Sequence, residues 1–332
     1  MSTASVPVAA ASTPLFPLAT EREPTLTVLS FGGGQDSTAI LARLIHEPEY
    51  RARWAPHDLA VVMSDTGDEW RETYEHVERM RALCATHGVP YFFLEAGDAH
   101  HSTKWPSLTG MWNRTSTVGS KAYPKTCSVR LKVDPIHAWL AAYVRDTYGC
   151  TGERYARSRS KAPIVEFADR YGPIRMLIGI AAGEEKRLGG EPPSAWQRFA
   201  ITYAYPLVED GMDRAACQRV IREHGIAVPV PSNCHRCPFV DERELLYLAH
   251  ARPDVLDDWR RQERAKLDAW EGRATRNLGV WGKELRAPDT GEKRPMTLDD
   301  ALALAREKHG HLSVEELATH RFSHGHCVAS AW

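Results

Sequence analysis

The chain alternates short apolar runs with longer stretches whose apolar residues recur at helical spacing. Leu26-Thr27-Val28-Leu29 is apolar and β-branched, and it predicts a buried strand over residues 26–31. Residues 39–45 are helix formers with an apolar stripe and predict a helix over 37–46. Residues 58–64 predict a second buried strand, followed by a helix over about 69–87 in which Asp65 and Glu69 serve as N-cap and first-turn acid. A third short strand is expected at 90–94 and another buried one at 174–182. Strands separated by helices imply an α/β fold with a doubly wound parallel sheet.

The remainder reads helical: 211–224, 242–250, 254–270 after the break at Pro253, and 298 to about 308 behind a cap at Thr297. Trp259 and Trp270 are expected to pack, and Ser313-Val314-Glu315-Glu316 is a capping box for a last short helix. Residues 97–125 show no period, and their Trp105 and Trp112 look exposed; residues 286–295 read as a polar linker. Arg145, Arg154, Arg157, Arg159 and Lys161 crowd 145–163, which reads as a solvated loop in preference to a nucleic-acid contact. The chain thus divides in three. Residues 1–24 form a disordered leader rich in Ala, Ser, Thr and Pro. Residues 25–210 form the α/β domain, and 211–332 a C-terminal helical region.

Composition narrows the class. In 332 residues a hydrophobic share of 43% supports a sizeable core, and a net charge of −1 provides no global field toward nucleic acid or membrane. No apolar run approaches the roughly 20 residues that span a bilayer, and no basic segment precedes the N-terminal Ala-rich stretch as in a signal peptide. Seven cysteines at irregular spacing point to metal or redox chemistry in preference to a disulfide framework. The chain therefore reads as cytoplasmic.

The chemistry centres on Ser30-Phe31-Gly32-Gly33-Gly34-Gln35-Asp36-Ser37-Thr38, between a strand and a helix. Consecutive glycines let the backbone turn sharply and approach a ligand. Asp36, Ser37 and Thr38 then fall in the first helical turn, where open N–H groups and the helix dipole attract anions. The stretch lacks the Lys of a Walker loop and the last glycine of a dinucleotide fingerprint. It reads as a phosphate cradle rather than a bare turn. A second motif is Cys234-His235-Arg236-Cys237, whose C-x-x-C spacing admits zinc, an iron–sulfur cluster or dithiol redox chemistry. Cys84, Cys150 and Cys217 have no partner spacing and read as small buried residues.

Gly33-Gly34-Gln35-Asp36-Ser37 resembles the S-G-G-x-D-S loop of the ATP pyrophosphatase (PP-loop, adenine nucleotide α-hydrolase) superfamily, with Gly32 in place of the leading Ser. Asp65-Thr66-Gly67-Asp68-Glu69 with Thr73-Tyr74 resembles the D-T-G-x-E…T-Y segment of its phosphoadenosine phosphosulfate (PAPS) reductase branch. Cys127-Ser128-Val129-Arg130-Leu131-Lys132 resembles that branch's C-[CT]-x-x-L-K segment. Ser128 stands where iron–sulfur members carry a second cysteine, and Ala181 where an arginine is common; Gly179, Glu184 and Arg187 keep the family spacing. Motif order is similar to that of the DNA phosphorothioation sulfur-transfer enzymes.

The resemblance implies an ATP pyrophosphatase that adenylates an acceptor for sulfur transfer, releasing pyrophosphate and AMP. ATP would lie on Ser30, Gly32, Gly33, Gly34, Gln35, Asp36, Ser37 and Thr38, beside Asp65, Thr66 and Gly67. Asp36 would bind Mg²⁺, while Lys132 and Arg187 offset developing negative charge. Cys127, Cys234 and Cys237 would hold a three-cysteine [4Fe–4S] cluster, with zinc as the alternative metal. Sulfur-transfer relatives use the open iron of such a cluster to hold sulfide. Cys327 would be a fourth ligand or a mobile thiol. Implied partners are DNA or RNA as acceptor, a cysteine desulfurase as sulfur donor, and a second copy in a homodimer. PAPS reduction and adenylyl transfer without sulfur are the rival activities; the tail His326-Cys327-Val328 fits the reductase E-C-G-x-H ending poorly.

Overall fold

In the computed structural model the described residues are 24–188, 190, 192, 194–273, 277–286 and 289–323, without the side chains of 156–159. The leader (save Pro24) and Cys327 lie outside them, as do the side chains of Arg157 and Arg159. Among the described residues no helix is long and apolar enough to cross a membrane.

The chain runs β1 (Leu26–Ser30), α1 (Gln35–His46), α2 (Pro48–Trp54), β2 (Asp58–Ser64), α3 (Arg71–Thr86), β3 (Tyr91–Leu94) and α4 (Leu108–Thr115). A continuous helical rod comes next: α5 (Thr126–Ser128), a π-helical turn at Val129–Val133, and α6 (Asp134–Tyr148). After a 3₁₀ stretch at Glu153–Lys161 come α7 (Ala162–Tyr171), β4 (Ile174–Ile178), α8 (Ala195–Ala200), β5 (Ile201–Ala204), α9 (Pro206–Glu209) and α10 (Arg214–Glu223). The last part holds α11 (Glu242–Ala251), α12 (Pro253–Ala269), the hairpin β6 (Glu284–Arg286) and β7 (Lys293–Pro295), α13 (Leu298–His309) and α14 (Val314–Ser323).

The main sheet has the order β3-β2-β1-β4-β5, all parallel, so the expected doubly wound fold is present. Alternation along the strands divides the core in two. Val28, Val62 and Met176 face Trp139 and Leu140 of α6 and Phe167 of α7. Leu29, Val61, Met63 and Leu177 face Ile40 of α1, Met80 of α3 and Ile221 of α10. Helix α10 thus packs on the sheet side of the molecule, against α1. Cys84, Cys150 and Cys217 are fully buried in these two cores, as their lack of partner spacing predicts. A third core gathers Leu245, Trp259, Leu298 and Leu302 from the C-terminal helices with Trp70, Leu108, Trp112 and Leu131 from the sheet domain's loops.

Three local expectations are corrected. Residues 97–125 contain α4, whose Ser107 cap accepts from Gly110 N at 2.9 Å; Trp112 is buried in the third core. Two turns are too short to establish a period, although Leu108, Met111 and Trp112 share a face. Within the expected polar linker, Lys293–Pro295 pair antiparallel with Glu284–Arg286, and Glu284 stands opposite Pro295. Helix α3 starts at Arg71 behind Trp70 with no side-chain cap, because Asp65 and Glu69 are engaged elsewhere. The caps at Thr297 and Ser313 form as their sequences predict.

Candidate active site

Strand order reverses between β1 and β4, and Ser30 stands opposite Ile178 at their carboxyl ends. That is the switch point at which an open parallel sheet leaves a crevice. A cavity of about 130 Å³ opens there. Its floor is the turn from Ser30 to Ser37. Gly33 has φ +71°, and a Cβ on it would come 3.0 Å from the Thr73 methyl, so the turn needs glycine at this position. Gly34 is the N-cap of α1 and no side chain caps the first turn, which leaves that helix end to a ligand. On the opposite wall a Cβ on Gly179 would lie 2.7 Å from Ser37 N. Only a glycine after β4 lets the two backbones meet so closely.

Asp36 occupies the second position of α1 and is nearly buried. Its Oδ2 is 3.9 Å from Arg187 Nη1 and 4.0 Å from Arg214 Nη2, while Oδ1 is buried with no hydrogen-bond partner among the described residues. Burial pushes its pKa above the usual carboxylate range, against the pull of Arg214 and Arg187. Both guanidiniums are also bound by Glu184, Arg214 at 2.5 Å. Burial works against the Glu184 anion, but hydrogen bonds from Arg214 and Arg187 hold its carboxyl below the ordinary range.

A smaller cavity of about 30 Å³ lies next to the first, lined by Cys127, Cys234, Cys237, Thr66, Ser128 and Lys132 among others. Ser128 and Lys132 line both cavities, so the end of α5 and the π-helical turn that follows it form the partition. Such turns occur often at functional sites because they re-aim side chains. Lys132 Nζ meets Glu69 Oε1 at 3.3 Å. The same oxygen accepts from Thr66 Oγ1 at 3.1 Å and faces Cys234 Sγ at 3.6 Å. Backbone pairing of Glu69 with Cys234, and His235 N to Asp68 O at 3.0 Å, stitch the loop after β2 to the C-x-x-C segment.

The expected site residues are split between the two cavities and the packed interior. Ser30, Gly32, Gly34, Gln35, Asp36, Ser37, Lys132 and Arg187 line the larger cavity. Gly33 faces α3, and Thr38 is buried with Oγ1 at 2.8 Å from both Gly34 O and His76 Nε2. The Gln35 amide is spent on structure: Nε2 donates to Pro229 O at 2.9 Å and Phe322 O at 3.2 Å, and Oε1 accepts from Gln218. Asp65, Thr66 and Gly67 do not line the larger cavity. Asp65 accepts from Tyr74 Oη at 2.9 Å, Thr66 lines the cysteine cavity, and Gly67 packs against Ser107. Cys127, Cys234 and Cys237 surround the smaller cavity without converging on a point; among the described residues no three His, Cys, Asp or Glu side chains are arranged as around an ion. Sequence reasoning missed Arg214 and the Pro231-Ser232 pair as cavity walls. Arg214 had one signal, a cation at the first position of a helix, against the dipole. Ser232 had none.

No family model matches the chain, and no curated protein matches it. Among solved structures it is similar to the U34-tRNA thiolase NcsA from Methanococcus maripaludis with its [4Fe-4S] cluster, at 13% identity and a TM-score of 0.35, over 93% of this chain and 82% of that chain.

Proposed function

We propose that the protein is an ATP pyrophosphatase that adenylates an acceptor for sulfur transfer, with pyrophosphate and AMP as products. One observation carries this reading: a glycine turn at an uncapped helix end and a three-thiol cavity have Ser128 and Lys132 as shared wall residues. The chemistry needs an anion site and a sulfur site within one step of each other, because the activated intermediate must meet its nucleophile before water does.

The uncapped end of α1 and the Gly32 turn would take the phosphates, with Arg187 and Lys132 beside them. The buried, unpartnered Asp36 Oδ1 is the oxygen that a Mg²⁺ would use. An acceptor oxygen attacks the α-phosphorus, the α–β bond breaks, and pyrophosphate leaves with its charge met by the arginines. A sulfur nucleophile then displaces AMP from the adenylated acceptor. Cys127, Cys234 and Cys237 are a soft donor set that suits a [4Fe–4S] cluster, with zinc as the alternative, and would hold it. When bound, the cluster supplies an iron site for inorganic sulfur. The acceptor class we favour is nucleic acid, DNA or RNA.

The test is product analysis from Mg²⁺-ATP with RNA and DNA fractions supplied as acceptor. AMP and pyrophosphate in equal amounts support the reading; ADP with phosphate, or sulfite formed from PAPS and thioredoxin, overturns it.

A further inference from the structure

Arg214 belongs to none of the recognised motifs, yet its guanidinium lines the nucleotide cavity beside Arg187. It sits at the first position of α10, behind the Asp213 cap, where the helix end is already electropositive. A cation placed there has to be offset by an anion. In the structure that anion is Glu184, which binds Arg214 and Arg187 together. Among the described residues, Asp36 and Glu184 are the carboxylates that face these two guanidiniums. Glu184 does not line the cavity, and its side chain is 27% exposed, so it can return to water when displaced.

Two guanidiniums held side by side at a phosphate cradle match the oxygens of a pyrophosphate unit, which they can grip through paired hydrogen bonds. We infer that Arg214 and Arg187 form a clamp for the departing pyrophosphate, and that Glu184 is the placeholder carboxylate that occupies the clamp between turnovers. This rests on the pyrophosphatase reading and adds to it. Incoming phosphate exchanges a single carboxylate for a more highly charged anion, so loading is favourable. As product leaves, Glu184 recaptures the arginines and keeps them from holding it. Glu184 thus trades affinity for turnover.

The experiment is calorimetric titration of the full chain with Mg²⁺ and inorganic pyrophosphate, alongside steady-state product release. Arg214→Ala should weaken pyrophosphate binding by about 10- to 100-fold, the effect of losing one charge-assisted contact. Arg214→Lys should restore part of it. Arg214→Gln supplies a second neutral variant should the alanine protein misfold. Glu184→Gln should bind pyrophosphate more tightly and turn over more slowly after a first burst. Unchanged affinity in the folded Arg214 variants, or weaker binding in Glu184→Gln, would overturn the clamp. The two readings separate: wild-type protein that binds pyrophosphate through Arg214 but never forms AMP keeps the clamp and loses the pyrophosphatase. AMP formation with pyrophosphate affinity indifferent to residue 214 does the reverse.

Discussion

Lys132 Nζ lies 3.3 Å from Glu69 Oε1, and this ion pair anchors the lysine that lines both the larger cavity and the cysteine cavity. The Glu69 side chain is fully buried, so Lys132 is its charge partner as well as a cavity wall. Removing one member of a buried pair leaves an uncompensated charge. Lys132→Met should therefore lower stability by about 3 kcal/mol, at the low end for buried pairs because the lysine is partly exposed. The double variant Lys132→Met/Glu69→Gln should regain most of that in denaturant titrations while pyrophosphate release stays lost. If the single variant keeps full activity, Lys132 has no part in the chemistry.

Asp36 and Ser37 stand in the first turn of the uncapped helix. Asp36→Ala removes the buried oxygen that we propose for Mg²⁺. Ser37→Ala removes the hydroxyl that accepts from Gly32 N at 3.2 Å and so shapes the turn. Both substitutions should abolish pyrophosphate release from ATP, with far-ultraviolet circular dichroism unchanged. Retained turnover would refute the cradle.

Gly179→Ala tests the close approach of β4's end to α1. The added methyl meets Ser37 N at 2.7 Å, and backbone cannot rotate away as a flexible side chain can. We expect a loss of roughly 1–3 kcal/mol in stability, as for other overpacked sites, and weaker ATP binding by equilibrium dialysis. Gly183→Ala is a useful contrast. A Cβ there meets no atom within 4 Å, so its φ of +89° is the only penalty and the cavity stays intact.

His76 is buried beneath the cradle against Thr38, and burial pushes its pKa down to about 4. A folded-state pKa below the unfolded value means that the unfolded chain takes up the proton first. The contribution is complete above about pH 6.5 and erodes as the pH falls toward 4. Between about pH 7.5 and about pH 5 this one group should cost about 2 kcal/mol of stability. Urea titrations of wild type and His76→Gln at the two pH values measure it; an identical pH dependence in both proteins would remove His76 from the account.

The thiol cavity is tested by metal content. Anaerobic purification should give a coloured protein with bound iron and a broad visible absorption, lost in Cys234→Ser. A colourless protein loaded with zinc would replace the cluster with the alternative metal.

The sequence by itself determined four of the five strands of the parallel sheet, all but β5, and the glycine turn that opens α1. Local signals suffice for these: a seven-residue, mostly apolar run such as 58–64 is too short for a helix of ordinary length and reads as a strand, and Gly33 before Asp36-Ser37 encodes its own backbone geometry at a helix start. The C-x-x-C was equally plain, since its spacing is local. The tertiary structure alone decided which neighbours the cradle has. Gln35 and Thr38 look like phosphate contacts in the motif but point into packed protein, because helical rotation carries successive side chains to different faces. Arg214, 178 positions beyond Asp36 in sequence, reaches it because α10 packs on α1. Ser232 and Lys132 meet the larger cavity only because the chain folds back across the end of the sheet. A sequence pattern records what each segment prefers locally; which charges end up 4 Å apart depends on how the cores close, and no single segment carries that.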